Sequence, residues 1–208
     1  LFQGQILNLP NKIIQKVYFP LDCVLSITLT MNKGITVDVG IIGNREVLGI
    51  NAFMGEKTIT QTEYIVQISG TAIELPAAIA RQIFQEDLEF RNVILQYTQA
   101  FLAQIAQNTA CNRVHLLEQR LARCLLEVKA RLSSNKLPFT QEFLSNILGV
   151  RRPGVTLALQ KLHEKDCISS SRGEISIINA KKLESCSCDC FRTVQEEYDR
   201  LLGNLTPR

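Results

Sequence analysis

The stretch Thr140-Gln141-Glu142-Phe143-Leu144-Ser145-Asn146-Ile147-Leu148-Gly149-Val150-Arg151-Arg152-Pro153-Gly154-Val155-Thr156 decides the fold. Thr140 is a helix N-cap residue, because its hydroxyl can take up a free backbone N–H of the first turn. Phe143, Leu144, Ile147 and Leu148 supply the apolar side of a short helix, and Gly149 ends it. A second helix opens near Arg152-Pro153, since proline lacks the N–H that a first turn leaves unpaired anyway. Val155, Leu159 and Leu162 point inward from it, and Thr156, Gln160 and Lys161 outward. Two short helices joined through a glycine, the second with a basic start, predict a helix-turn-helix. In such a unit the first helix braces the second, whose N-terminus points into a major groove. Backbone N–H groups and the helix dipole there favour phosphate, and arginine can contact guanine O6 and N7 together.

Downstream, Cys167-Ile168 leads into Ser169 to Arg172, then Gly173, then Glu174 to Ile178. A tight turn at Arg172-Gly173 between two strands has the layout of a wing, which sets Arg172 against the sugar–phosphate backbone. The candidate DNA contacts are therefore Arg151, Arg152, Gly154, Thr156, Gln160, Lys161 and Arg172. The competing reading is an αα-hairpin with a small β-ribbon, part of a ligand- or redox-sensing module that does not read DNA. Charge favours the first. Residues 112–172 hold eleven Lys and Arg against five Asp and Glu, in a chain whose net charge is only +3.

Upstream the pattern has period two. Val24 to Thr30 and Ile35 to Ile42 read as paired strands around a turn at Asn32-Lys33-Gly34, with Val37, Val39 and Ile41 on one face. Val17 to Phe19, Tyr64 to Ile68 and Thr71 to Leu75 add short strands, so the front of the chain predicts a small sandwich or barrel. Pro76 opens a helix, and Asp87 caps a long helical run. Val93, Tyr97, Phe101 and Ile105 recur every four residues there, with Ile94 beside them. These five are the candidate dimer interface, and packing within one chain is the alternative. A further helix runs from Val114 to Leu132 on Leu117, Leu121, Leu125 and Val128.

Together, Tyr18-Phe19-Pro20, Val24-Leu25-Ser26, the run from Val39 to Gly49, Thr140 to Leu144, Leu148 to Thr156, Ile168 to Gly173 and Leu183 to Cys186 resemble the CRP/FNR family of bacterial transcription regulators, along essentially the whole chain. The resemblance implies an α+β chain. Its parts are a cyclic-nucleotide-binding-like β-roll sensor (residues 1–86), a dimerisation helix (87–111) and a winged helix-turn-helix with a helical tail (112–208). It implies a homodimer on a near-palindromic operator in double-stranded DNA, in the bacterial cytoplasm, with RNA polymerase as a further partner and an effector that the sequence does not identify. Arg152 matches the family's base-reading arginine, but Pro153 stands where many members have an acidic base reader. Cyclic-nucleotide-binding members have Gly-Glu for the ribose followed by an arginine for the phosphate. Here Gly55-Glu56 is followed by residues 57–63 with no arginine. A buried phosphate without that partner is costly, so cyclic AMP is not expected to bind.

Seven cysteines, an odd number, fit a reducing compartment. Cys186, Cys188 and Cys190 offer three soft metal ligands within five residues, or a disulfide between two of them, but a tetrahedral metal site needs a fourth ligand that the local sequence lacks. Cys23, Cys111, Cys124 and Cys167 read as buried small hydrophobes, and His115 and His163 as ordinary helix residues. No Ser/His/Asp order, paired catalytic carboxylates or nucleotide loop suggests an enzyme. No run of 18 apolar residues is present to cross a membrane. No basic segment followed by an apolar one opens the chain, and Leu1 stands inside what reads as the first strands, so residues preceding it are expected.

Overall fold

The computed structural model describes residues 1–31, 36–132, 134–171 and 173–203. Strands β1 (Ile6–Asn8), β2 (Lys16–Pro20), β3 (Val24–Thr30), β4 (Thr36–Ile42), β5 (Glu63–Ile68) and β6 (Ala72–Pro76) open the chain. They pair antiparallel, in the order β1-β5-β3-β4 in one sheet and β2-β6 in the other. The turn at Asn32-Lys33-Gly34 and Ile35 lie outside the described residues. Helices α1 (Ala77–Glu86), α2 (Leu88–Val114) and α3 (Leu117–Leu132) follow. Then come β7 (Lys136–Leu137), α4 (Gln141–Leu148), α5 (Arg152–Glu164), β8 (Ile168–Ser171), β9 (Glu174–Ile177), α6 (Ala180–Cys186) and α7 (Cys190–Leu202).

The centre of the four-stranded sheet packs on both faces. Leu25, Ile42 and Val66 join Val17, Leu48 and Tyr64 inside the roll. Val24, Ile41 and Ile68 face the other way, into the core built by α3, α4 and α5. A bulge makes this possible on β5: Val24 pairs with Ile68 and Leu25 with Val66, so Gln67 is skipped. A second bulge corrects the expected face of β4. Ile27 pairs with Gly40 and Thr28 with Asp38, which turns the skipped Val39 outward. Gly40 meanwhile lies against the Phe101 ring, where a Cβ would sit 3.1 Å from Cζ.

Asp87 caps α2 as expected, its carboxylate accepting the Phe90 N–H at 2.9 Å. The helix runs past the expected boundary at residue 111 and ends at Val114. His115 is extended there (φ −100°, ψ 149°), so the break falls at His115-Leu116 and Val114 belongs to α2, not to the next helix. The tail also departs from its place in the chain order. Helix α7 packs along α2, and its Val194 and Tyr198 enter the core of the roll. Among the described residues no helix is long and apolar enough to cross a membrane.

One buried ion pair ties roll to helices. Arg131 of α3 donates through Nε to Glu46 Oε2 at 2.7 Å and through Nη2 to Glu46 Oε1 at 2.6 Å. The Gly43 N–H donates to the same Oε2 at 2.6 Å, and Arg131 Nη1 reaches the Glu127 carbonyl at 3.1 Å. Gln104 of α2 takes a longer contact from Arg131 at 3.4 Å and a shorter one from the Tyr198 hydroxyl of α7 at 2.7 Å. Gly43 must be glycine, because a Cβ there would lie 2.5 Å from Arg131 Cβ. Removing one member of a buried, fully bonded pair strands the other charge and costs about 3–5 kcal/mol. Arg131→Ala is therefore expected to lower the melting temperature by roughly 10 °C in a thermal melt, and Gly43→Ala to destabilise in the same direction by forcing the guanidinium aside.

Candidate nucleic-acid interface

Each end of the helix-turn-helix is fixed by local chemistry. The Thr140 hydroxyl accepts the Phe143 N–H at 3.1 Å, and Gly149 takes the left-handed conformation (φ 63°) that closes α4. The Val150 N–H returns to the Ser145 carbonyl at 3.0 Å. Arg151 is the extended N-cap of α5, and Pro153 lies in its first turn. Val155, Ala158, Leu159 and Leu162 are buried beneath the helix. Pro153, Thr156, Gln160 and Glu164 line the outer face. Leu157 lies there too, 62% exposed. The sequence reading passed over it, although it falls off the Val155–Leu159–Leu162 stripe, and that is the signal that places it outside. An exposed leucine on this face can meet a thymine methyl.

The predicted contacts divide by position. Arg151 and Arg152 are exposed at the start of α5, and Arg152 Nη2 holds Glu142 Oε2 of α4 at 2.7 Å. Both partners are well exposed, so the pair is weak and readily exchanged for another acceptor. Thr156 is exposed, its hydroxyl bonded to the Arg152 carbonyl and Gln141 Oε1. Gln160 pairs with Glu164 at 3.0 Å. Lys161 lies to the side, 3.7 Å from Glu118 of α3, which also binds Lys165. Gly154 differs from its assignment as a contact. Its N–H serves the Arg151 carbonyl at 2.9 Å, and a Cβ would lie 3.2 Å from Leu117 Cδ2, so it lets α5 press on α3. Strands β8 and β9 form the wing with β7 as a third strand, and Gly173 takes φ 80° at its tip. Arg172 lies outside the described residues.

The expected dimer residues are corrected. Tyr97 (2% exposed), Phe101 (6%) and Ile94 are buried against the roll, Ile105 is half-buried there, and Val93 alone of the five is exposed. A strict four-residue step advances about 40° per repeat, so such a run winds around the helix rather than marking one face. The exposed face instead carries Leu88, Leu95 (54% exposed), Leu102 (60%) and Thr109, spaced by seven, with Asn92, Gln99 and Ala106 between them.

On the sensor side, Gly55 and Glu56 follow the short 3₁₀ turn Ile50–Phe53, with Glu56 exposed. Arg81 of α1 donates to the carbonyls of Ala52 and Gly55 and so braces this loop from outside residues 57–63. The cysteine run does not act as a unit. Cys186 lies beside Cys167, sulfur to sulfur 3.7 Å. Cys188 and Cys190 instead meet Cys111 and His115, four residues that the sequence reading never brought together.

The class is now defined: a winged helix-turn-helix reader packed on a β-roll, with a long helix presenting a seven-residue apolar repeat. Residues 119–186 match the Crp-like helix-turn-helix domain. FixK2 from Bradyrhizobium japonicum has the same fold, with a TM-score of 0.76 at 14% identity over 90% of this chain and 94% of that one. A CRP/FNR-family transcriptional regulator from Thermus thermophilus gives 0.73 at 18% identity, over 90% and 96% of the two chains. The c-di-GMP-responsive global regulator CLP from Xanthomonas campestris gives 0.66 at 14%, over 86% and 92%. No curated protein sequence matches the chain. The chain thus has the fold of the CRP/FNR regulators, and its residues 119–186 are a Crp-like helix-turn-helix domain.

Where roll, α2 and α3 meet, a cleft of about 180 Å³ is lined by Asp38, Gly40, Gln104, Asn108, Arg123 and Glu127, among others. Burial pushes the Asp38 carboxyl up to about 8, only partly countered by the Ser26 hydroxyl and the Gly40 N–H. Its Oδ2 has no hydrogen-bond partner among the described residues. The folded chain therefore holds this proton after the unfolded chain has lost it. Stability falls as pH rises above the ordinary value of 3.8 and stops falling past about 8. Asp38→Asn removes that slope. In urea melts across this range, the variant is expected to gain on the parent protein as pH rises, with the gain levelling off above the folded-state value.

Proposed function

We propose that this protein regulates transcription by binding operator DNA as a homodimer, with α5 read into the major groove and the β8–β9 wing on the adjacent backbone. The observation that carries the reading is the N-terminus of α5. It is exposed, opens on Arg151 and Arg152, and sits on a Crp-like helix-turn-helix domain. Free N–H groups of a first turn attract phosphate, and a guanidinium beside them can reach guanine O6 and N7. Arg152 gives up only a weak exposed pair with Glu142 to do so. Thr156, Leu157 and Gln160 follow on the same face as further base contacts, and Lys161 and Arg172 as backbone contacts.

The second copy is seated on the exposed seam of α2. Leucines at every seventh position, with Asn92 and Gln99 between them, are the pattern of a two-stranded coiled coil in which polar positions fix the register. Pairing there would set two α5 helices on one side of the assembly, to meet half-sites about 34 Å apart. The roll is the place for a signal. The missing arginine in residues 57–63 argues for an effector other than cyclic AMP, and calorimetry showing micromolar cyclic AMP affinity would overturn that part.

Selection from random duplexes is expected to return a two-fold symmetric consensus. On that duplex, Arg152→Ala should cost about 1–3 kcal/mol and relax preference at one base pair of each half-site. Arg151→Ala should weaken all duplexes alike and flatten the salt dependence, since each lost phosphate contact removes about 0.9 from the log–log slope. Fluorescence anisotropy at several salt concentrations separates the two, and unchanged binding by the double variant would sink the assignment. Leu102→Glu places a charge at the centre of the seam without touching either core. Sedimentation should show it monomeric, with operator affinity lost in parallel.

A further inference from the structure

The side chains of Cys111, His115, Cys188 and Cys190 meet at one point although the chain separates the two pairs widely. Cys111 and His115 are one helical turn apart at the end of α2. Cys188 and Cys190 flank Asp189 between α6 and α7. Their sulfurs and ring nitrogen all lie within 4.8 Å of one another. Cys111 Sγ is 3.5 Å from Cys188 Sγ, and Cys190 Sγ is 3.5 Å from His115 Nδ1. A tetrahedral zinc ion, with bonds of about 2.3 Å to sulfur and about 2.0–2.1 Å to nitrogen, separates its ligands by about 3.5–3.8 Å. An iron–sulfur cluster interposes bridging sulfides and several irons, and needs its thiolates farther apart.

The surroundings complete the site. The three cysteines are buried and form a cluster of their own, apart from both apolar cores. His115 turns Nε2 toward Asp189 Oδ1 at 3.6 Å, leaving Nδ1 on the side of the sulfurs. A carboxylate behind the ring is the usual support of a metal-bound histidine. Gln107 Nε2 donates to Cys190 Sγ at 3.1 Å. Three thiolates and a neutral imidazole around a divalent ion leave one net negative charge.

We propose that Cys111, His115, Cys188 and Cys190 bind one zinc ion in a closed tetrahedral site, which clasps the start of α7 to the break between α2 and α3. Binding releases three thiol protons to solvent and involves no change of oxidation state. All four positions are taken by protein, so the ion holds structure and leaves no place for a substrate. The site does not depend on the chain's binding DNA.

The test uses the whole chain, purified under reducing conditions without chelator. Elemental analysis should find about one zinc per chain. Chelation should lower the melting temperature and added Zn²⁺ restore it. Co²⁺ added to the stripped protein should saturate at one equivalent, with the visible absorption of a tetrahedral thiolate site. The double variant Cys188→Ser/Cys190→Ser should lose at least about tenfold in bound zinc, since loss of a mere supporting partner of a ligand already costs about 10–100-fold in affinity. Cys186→Ser, whose sulfur lies beside Cys167, should keep its zinc and controls for chance thiol binding. Should the double variant fail to fold, the Co²⁺ spectrum of the unsubstituted chain still decides. A reduced chain that takes up neither Zn²⁺ nor Co²⁺, zinc retained by the double variant, zinc lost on Cys186→Ser, or a Cys111–Cys188 disulfide in the reduced protein would each overturn the proposal.

Discussion

The relation between the roll and the reader rests on Glu46 and Arg131. Burying two charges repays its desolvation cost only where geometry is close to ideal and the remaining donors and acceptors are filled. Here both carboxylate oxygens take a guanidinium N–H, one also takes the Gly43 N–H, and the other face of Arg131 reaches the Glu127 carbonyl. Burial and the facing carboxylate act oppositely on this arginine, and the carboxylates prevail in holding it protonated. An apolar pair of similar size would bury as much surface but would tolerate sliding. A bidentate pair has one geometry, so it fixes the roll to α3 in one register.

Helix α2 is the second shared element, and it divides its circumference among three neighbours. Ile94, Tyr97 and Phe101 face the roll, where the Tyr97 hydroxyl donates to the Val47 carbonyl at 3.1 Å. Gln104 meets Arg131 and Tyr198, so α3 and α7 both register on it. Leu88, Leu95 and Leu102 remain uncovered. A 27-residue helix apolar on more than one side has a weak amphipathic signal, because opposed apolar stripes cancel.

That cancellation explains what was legible in the sequence. The caps at Thr140 and Asp87, the terminating Gly149, and the first-turn Pro153 each act within a few residues, and their elements stand where local chemistry puts them. The strands of the roll were legible by alternation, except where bulges skip Val39 and Gln67, since a bulge shifts the period without leaving a mark in composition. The repeat Val93, Tyr97, Phe101 and Ile105 was legible as apolar but not by its partner, because a step of four winds around the helix onto the side that the roll covers, while Leu88, Leu95 and Leu102 keep to the exposed side. The return of α7 and the meeting of Cys111 with Cys188 are set by contacts over 77 residues of chain. No local pattern could bring Cys111 and His115 to the sulfurs of Cys188 and Cys190, or set Cys186 apart from them beside Cys167.

Helix α3 makes contact with both halves. Near its C-terminal end, Arg131 is held by the roll. Near its N-terminal end, Glu118 holds Lys161 and Lys165, Arg120 bonds the Leu148 carbonyl at the turn, and Leu117 abuts Gly154. These two ends are about 16–21 Å apart at 1.5 Å per residue. Each contact at the near end grips the helix-turn-helix at a different point: the end of α4, the start of α5 and the flank of α5. The helix-turn-helix is thus anchored to α3 at three points and to the roll as well, since α4 packs directly on β4 and Val24, Ile41 and Ile68 enter the same core. The break at His115-Leu116 is where the backbone leaves helical geometry between α2 and α3. Were two chains paired on the exposed face of α2 as proposed, these anchors would fix the separation and tilt of their α5 helices, which half-sites at fixed spacing would discriminate.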